Sequence, residues 1–156
     1  MMSGNEWNYE DSHNVYFFLN RFHVLDNYSA NIILYSGLQF FTNEHFYHWN
    51  KFVEIDADLA EKIRRASSPK NAHDLAANNR HMVAASWERR KLKVMKKGLK
   101  LKFDQHSDVQ KALEKTGKRN LIENASNDLF WGIGSSGLGK NWMGKLWMEI
   151  RAQFHP

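Results

Sequence analysis

Two carboxylates, a lysine and a window of glycines are the residues in this chain whose types and spacing could do chemistry. The window falls in N-D-L-F-W-G-I-G-S-S-G-L-G-K-N-W-M-G-K-L-W-M-E-I-R, residues 127–151, where Gly132, Gly134, Gly137 and Gly139 crowd together and Gly144 follows. Glycine accepts positive φ and carries no side chain, so such a stretch can wrap its backbone closely around a ligand. Met143, Leu146, Trp147, Ile150 and Phe154 then recur at helical spacing, so the loop is expected to feed a helix N-terminus. Free N–H groups and the positive dipole end at a helix start suit a phosphate or pyrophosphate. Asp128 and Trp131 stand on the entry side of the loop. Together these residues predict a pocket for a phosphorylated, aromatic or sugar-bearing ligand. A flexible solvated Gly-Ser connection is the plainer alternative, and the two tryptophans that bracket the loop argue against it.

The same window contains the spacing G-x-x-x-x-G-K at Gly134, Gly139 and Lys140, which is that of a nucleotide-binding P-loop. The following position is Asn141 rather than the Ser or Thr whose hydroxyl ligates magnesium. The preceding N-A-S-N-D-L-F-W is too polar for the strand a P-loop requires, and one helix is all that follows. The NTPase reading is rejected.

Glu44 lies in T-N-E-H-F-Y-H-W-N-K-F, in the expected first turn of a helix. It is either a carboxylate answering the helix dipole or a reactive carboxylate placed beside His45 and two turns before Lys51. Lys51 is either a solvated lysine or a phosphate-binding one. His45 and His48 could share a helix face, but a histidine pair with no third ligand does not make a metal site, so no metal is expected. Trp87 is read as a core residue, with stacking on a base as the lesser possibility. Asp128 could equally cap a turn.

These residues need elements to hold them. Val15–Leu19, Ile32–Tyr35 and Leu38–Phe41 read as strands, the last two turned by Ser36-Gly37. Thr42 or Asn43 should cap a helix with Phe46, Trp49, Phe52 and Val53 on one face. A second helix is expected over Asp56–Ala66, stopped by Ser67-Ser68-Pro69, and a third from Pro69 through His73, Leu75 and Ala76. The longest should run over Ala84–Phe103 with Trp87, Leu92, Met95, Leu99 and Phe103 inward. Its other face carries Arg89, Arg90, Lys91, Lys93, Lys96, Lys97, Lys100 and Lys102, a solvated face unless other basic groups join it. A helix over Asp108–Lys115 and a short strand over Asn120–Glu123 precede the glycine loop. The sum is an α+β fold, a single mostly helical domain around a small sheet over residues 15–156, after a polar tail over residues 1–14.

Composition sets the outer bounds. The chain has 156 residues, enough for one domain with a sizeable core. It has no cysteine, which excludes disulfides, a thiol nucleophile and a cysteine-based zinc site. No apolar run approaches the roughly 20 residues that span a membrane, and the N-terminal residues do not read as a secretion signal. A cytoplasmic protein is expected. Its formal net charge of +5 favours an anionic partner, either nucleic acid or a phosphorylated metabolite.

Three segments together resemble the NADAR superfamily of YbiA-like N-glycosidases. N-E-H-F-Y-H-W-N-K-F at Asn43–Phe52 is similar to that family's S-E-H-Y-F-Q-A-x-K-F. I-R-R-A-S-S-P at Ile63–Pro69 and S-W-E-R-R-K-L-K-V-M-K-K-G-L-K-L-K-F at Ser86–Phe103 follow in order. The glycine-rich stretch is similar to N-D-x-x-W-G-x-G-x-x-G-x-G-x-N-x-L-G-x-x-L-M-x-x-R. Departures are Leu25-Asp26-Asn27-Tyr28 where relatives carry F-S-N-F, Met143 for leucine, and Asn43 for serine or threonine. The resemblance implies a hydrolase that cleaves a bond between ribose C1 and nitrogen, with no cofactor. Its implied substrates are ADP-ribose on guanine in nucleic acid, a modification it would reverse, or ribosylamino-pyrimidine phosphates of riboflavin synthesis. A non-catalytic module binding ADP-ribose or nucleic acid is the reading from a different class. Glu44, Trp87 and Asp128 match the family's active-site positions, and Lys51, Trp131, Gly134, Asn141 and Arg151 match its other recurrent ones. Glu44 is expected as the main catalytic carboxylate and Asp128 as the second, holding water or a ribose hydroxyl. Trp87 or Trp131 would stack on the base, while Lys51 and the loop with Gly132, Gly134, Gly137 and Gly139 would hold phosphate.

Overall fold

The computed structural model describes residues 8–18 and 23–155. Its contacts divide into two units, one of Ala30–His106 and one built from the segments before Ala30 and after His106.

The unit Ala30–His106 begins with a hairpin of β1 (Ile33–Tyr35) and β2 (Leu38–Phe40), paired antiparallel with Tyr35 opposite Leu38. Ser36 and Gly37 both take positive φ, 50° and 76°, the pattern of the two-residue turn whose twist matches the strands. Four helices follow: α1 (Asn43–Phe52), α2 (Ala57–Arg64), α3 (Pro69–Asn78) and α4 (Trp87–Gln105). Each of the first three starts as the sequence predicts. Thr42 accepts the His45 N–H, Asp56 that of Leu59 and Ser68 that of Asn71, with Pro69 in the first turn of α3. Phe52, Ala60, Ile63, Ala72 and Ala76 pack α1, α2 and α3 into one core. Helix α4 packs on α1 at Gly98, where a Cβ would fall 1.9 Å from the Asn43 side-chain oxygen.

Helix α4 begins at Trp87, three residues later than expected, and Ala84–Ser86 form the turn that leads into it. Two further expectations change there. Leu92 is half-buried while Val94 takes the core position, and Lys102 is fully buried rather than part of the basic face. The 3.6-residue period turns that position inward.

In the other unit, β3 (Tyr9–Glu10), β4 (Asn14–Phe17) and β5 (Asn120–Glu123) form a sheet in the order β3-β4-β5. Strands β3 and β4 are antiparallel, and β4 and β5 parallel, with Val15 beside Leu121. Tyr9–Glu10 fall in the stretch read as a polar tail; backbone pairing and the stack of Tyr9 on Tyr16, 4.3 Å between ring centroids, hold them. Leu19, the expected end of β4, lies outside the described residues, as do residues 1–7 of the tail and Pro156. Helix α5 (Ser107–Lys115) precedes β5, and α6 (Trp142–Phe154) closes the unit. Helix α6 lies directly on β5, since a Cβ on Gly144 would meet the Leu121 carbonyl oxygen at 1.9 Å. Trp147, fully buried, donates its indole N–H to the Leu25 carbonyl. Phe154, at the helical spacing read from the sequence, is the last residue of α6 and is about half exposed at 49 %. Among the described residues no helix is long and apolar enough to cross a membrane.

Candidate active site

Helix α1 brings Glu44, His48 and Lys51 onto one face, since residues three and four apart are neighbours on a helix. Glu44 is almost buried, and its Oε1 lies 2.8 Å from His48 Nε2, one turn on. His73, from α3, places Nδ1 3.2 Å from the same oxygen. The two imidazoles meet edge to face, 5.3 Å between centroids. Burial pushes the Glu44 carboxyl up, but the two histidines outweigh it and hold it well below the usual carboxylate range. Burial pushes the His48 imidazole down against the pull of Glu44. The hydrogen bond to Glu44 pushes His73 up. The carboxylate is therefore ionised at neutral pH although it is largely withdrawn from solvent.

Lys51 extends the same face. Its ammonium lies 4.9 Å from the Tyr47 ring centroid and 5.8 Å from that of Trp87. Burial lowers its pKa to about 8, with the Glu44 charge opposing that shift. Trp87 is buried against Tyr47, ring centroids 5.2 Å apart, with the Arg90 guanidinium 5.9 Å from its ring centroid. This unit thus gathers an anionic carboxylate, two buried aromatic rings and a lysine of lowered pKa.

His45 does not join this cluster. Its Nδ1 pairs with the Thr42 hydroxyl at 2.8 Å and its Nε2 with the Ala66 carbonyl at 3.0 Å. It ties α1 to the end of α2. The His45–His48 pair weighed and set aside in the sequence is not brought together here; Glu44, His48 and His73 instead offer ligand atoms within 4.8 Å of one another. His73 and Tyr47 were not singled out by the sequence; the one local signal was the four-residue spacing from Glu44 to His48.

In the other unit the glycine loop folds on itself. The N–H groups of Ile133 and Gly134 bond Glu123 and Ala125 carbonyls, anchoring the loop to the end of β5. Gly139 passes so close that a Cβ would lie 2.5 Å from the Gly132 carbonyl oxygen, and Gly134 holds φ +67°. Gly132 backs onto Ala125, while Gly137 and Leu138 stand exposed at the tip. The expectation of free donors at the start of α6 is corrected. The N–H groups of Trp142 and Met143 bond the Phe130 and Trp131 carbonyls, so the loop itself takes up these two donors of the first turn.

Asn141, at φ 51°, uses both ends of its amide on β5. Oδ1 accepts the Glu123 N–H at 3.0 Å and Nδ2 donates to the Leu121 carbonyl at 2.9 Å. It locks the loop to the sheet. Asp128 Oδ1 accepts the N–H groups of Phe130 and Trp131 at 2.9 and 2.8 Å, so it caps the turn that presents Trp131. Trp131 is half-buried, edge-on to Phe130 at 4.8 Å. Arg151 stands ten residues down α6 from Asn141, about 15 Å along the axis, where it donates to the Thr116 hydroxyl at 2.8 Å. The structure does not bring it to the glycine loop.

The basic face of α4 is partly neutralised. Lys91 pairs with Glu88, Arg90 with Glu54 and Lys100 with Asp104, and Lys97 donates to the Tyr35 hydroxyl. Arg89 and Lys93 remain exposed on it.

Comparison with known proteins covers the same ground. The N-glycosidase YbiA of Shigella flexneri is 36% identical over 127 residues, 81% of this chain and 78% of that one. An N-glycosidase of Nostoc punctiforme is 31% identical over 128 residues, 81% of this chain and 82% of its own. The riboflavin biosynthesis protein PYRR of Zea mays chloroplasts is 33% identical over 120 residues, 72% of this chain but 19% of that longer protein. The NMR structure of E. coli YbiA superposes with a TM-score of 0.80 at 33% identity, covering 95% of this chain and 88% of that one. The NADAR domain profile matches residues 7–155. The chain is a member of the NADAR domain family.

Proposed function

We propose that the protein is a hydrolytic N-glycosidase, cleaving a bond between ribose C1 and nitrogen. The observation that carries this is the ionised, nearly buried Glu44 carboxylate. Breaking an N-ribosyl bond builds positive charge on the sugar ring, and an anion in a dehydrated site stabilises that charge far better than one in water. With its pKa held so low Glu44 is a weak base, so its work is electrostatic: it faces the developing cation and orients the attacking water. Trp87, buried and packed by Tyr47 and Arg90, supports the site from behind, and Lys51 answers a phosphate. Asp128 is assigned as the second carboxylate. Relatives named N-glycosidases support the reaction type.

The substrate read first is ADP-ribose on guanine in nucleic acid, which the net charge of +5 and the exposed Arg89 and Lys93 favour. The match to PYRR, named for riboflavin biosynthesis, favours the second reading, a ribosylamino-pyrimidine phosphate. The reaction is assigned without metal. A histidine ligating through Nε2 carries its proton on Nδ1, and the Nδ1 of His48 is buried with no hydrogen-bond partner to take that proton.

The test is a paired hydrolysis assay without added metal, wild type against Glu44→Gln. ADP-ribose released from ADP-ribosyl-guanine DNA by wild type alone supports the first substrate; turnover of the pyrimidine phosphate alone supports the second. Binding of ADP-ribose with no cleavage of either would replace the enzyme with a binding module.

A further inference from the structure

Two imidazoles converge on one carboxylate oxygen, and they differ in their proton inventory. His48 is buried, with Nε2 at Glu44 Oε1 and Nδ1 unpartnered. A buried lone pair without a donor costs less than a buried N–H without an acceptor, and an Nε2 lone pair would repel the carboxylate. His48 is thus neutral with its proton on Nε2, a fixed donor that orients Glu44. His73 differs. Its side chain is 51% exposed, Nδ1 faces the carboxylate, and Nε2 makes no hydrogen bond among the described residues. A carboxylate behind one nitrogen and an open second nitrogen is the arrangement by which an imidazole is held as a proton donor.

We propose that His73 is the general acid of the reaction, held by Glu44 and delivering a proton from Nε2 to the departing nitrogen. The assignment rests on the N-glycosidase reading. As the C1–N bond breaks, its electron pair goes to nitrogen and the His73 proton neutralises it. Water adds to C1, oriented by Glu44, and the proton it sheds passes through solvent to the exposed, now unprotonated Nε2 of His73. The cycle consumes one water and leaves the protein's protonation unchanged. Glu44 then has two tasks in one place, facing the sugar cation and keeping His73 charged.

The groups that set the His73 charge are few. From α1, Glu44 favours the imidazolium while Lys51 opposes it and the neutral His48 adds no charge; partial burial opposes it too, and on α3 itself Asp74 favours it, shared with Lys70. On α2, Glu61 pairs with Arg64 and with Arg65 just beyond the helix. The net displacement is upward, so more of His73 carries its proton at neutral pH than a free histidine would.

The experiment measures kcat and KM from pH 5 to 9 for wild type, His73→Gln, His73→Ala and His48→Gln, on ADP-ribosyl-guanine DNA and the ribosylamino-pyrimidine phosphate. Wild type should lose rate on an alkaline limb centred above the free-histidine value of about 6.5. His73→Gln should lower kcat about 10²- to 10⁴-fold with little change in KM and abolish that limb. Imidazole added to His73→Ala should restore part of the rate, which a purely structural role would not allow. His48→Gln, which keeps a donor for Glu44, should retain the limb. A His73→Gln enzyme with the wild-type rate and limb overturns the assignment while leaving the N-glycosidase reading intact. A wild type inactive on both substrates overturns both. One equivalent of zinc bound by wild type and lost in His73→Gln would replace the proton relay with a metal centre.

Discussion

The ammonium of Lys51 lies 4.9 Å from the centroid of the Tyr47 ring, four residues earlier on the same helix. A lysine there is half-dehydrated, and burial brings its pKa down to about 8 against the opposing pull of Glu44. A phosphate arriving at Lys51 favours the charged form and so binds with proton uptake above that pH. Affinity for a phosphorylated ligand is expected to be level below pH 8 and to fall by up to about tenfold per pH unit above it. Calorimetric titration of ADP-ribose across pH 6.5 to 9.5 checks this. In Lys51→Met the affinity should be lower and independent of pH; a wild-type profile that stays flat to pH 9.5 removes Lys51 from anion binding.

Glu44→Gln should leave the protein folded and lower turnover by two to four orders of magnitude, about what a positioned catalytic group contributes. It should also change a neighbour. His73 owes its raised pKa first to the Glu44 hydrogen bond, so removing the charge must bring the imidazole back down. NMR titration of the histidine side chains, wild type against variant, reads the shift directly. An unchanged His73 midpoint would show that the two groups are not coupled.

Asn141 is expected to matter for stability before anything else. Asn141→Ala removes two hydrogen bonds to β5 and leaves the Glu123 N–H and Leu121 carbonyl without those partners. The loss should be about 2–4 kcal/mol in urea unfolding, two bonds at about 1–2 kcal/mol each. Alanine also tolerates φ 51° poorly, so Asn141→Gly, which relieves only the backbone, should recover a fraction of it.

Asp128 offers a cleaner separation of roles. Asn keeps an oxygen for the Phe130 and Trp131 N–H groups, whereas Ala loses it. Asp128→Asn should unfold near the wild-type midpoint and Asp128→Ala about 1 kcal/mol lower, the usual loss on removing a cap. Both should lose turnover if the carboxylate charge takes part in the reaction. Full activity in Asp128→Asn would reduce Asp128 to a turn cap.

Charge on α4 tests the nucleic-acid reading. Arg89→Glu with Lys93→Glu should weaken binding to an ADP-ribosylated oligonucleotide and flatten its salt dependence, the logarithmic slope falling by about 0.7–0.9 for each phosphate no longer neutralised. Fluorescence anisotropy from 50 to 200 mM salt gives both numbers. A wild type whose affinity does not vary with salt would leave the small metabolite as the substrate.

The helices were legible because their signals are local: Thr42, Asp56, Ser68 and Pro69 fix starts whatever the rest of the chain does. The β1–β2 hairpin was legible for the same reason, through Ser36-Gly37. Strand β3 was not. Two exposed residues, Tyr9 and Glu10, have no alternation to read and exist as a strand only because β4 lies alongside. The site divided likewise. Glu44 and Lys51 are neighbours in sequence and on one helix face, so their association could be read from spacing. His73 arrives from another helix, and nothing in the string connects it to Glu44. The glycine loop misled in one respect. Its glycines suggested a backbone open to a ligand, whereas Gly132 is small because it packs on Glu123 and Ala125 at the end of β5, and Gly139 because it packs on the loop's own backbone.

The parallel pairing of β4 with β5 joins residues over a hundred positions apart, Val15 to Leu121 among them. Everything from Ala30 to His106 lies between and closes its own contacts. A chain emerging from the ribosome therefore has the Glu44 cluster's helices available while β4 still waits for its neighbour. The middle unit is expected to resist protease on nascent chains halted shortly after His106 has cleared the exit tunnel. The sheet can gain protection only after Glu123 emerges, since closure over so long a separation is entropically costly and slow. Birth order would then place the proposed acid, His73, beside its carboxylate before the glycine loop has been synthesised.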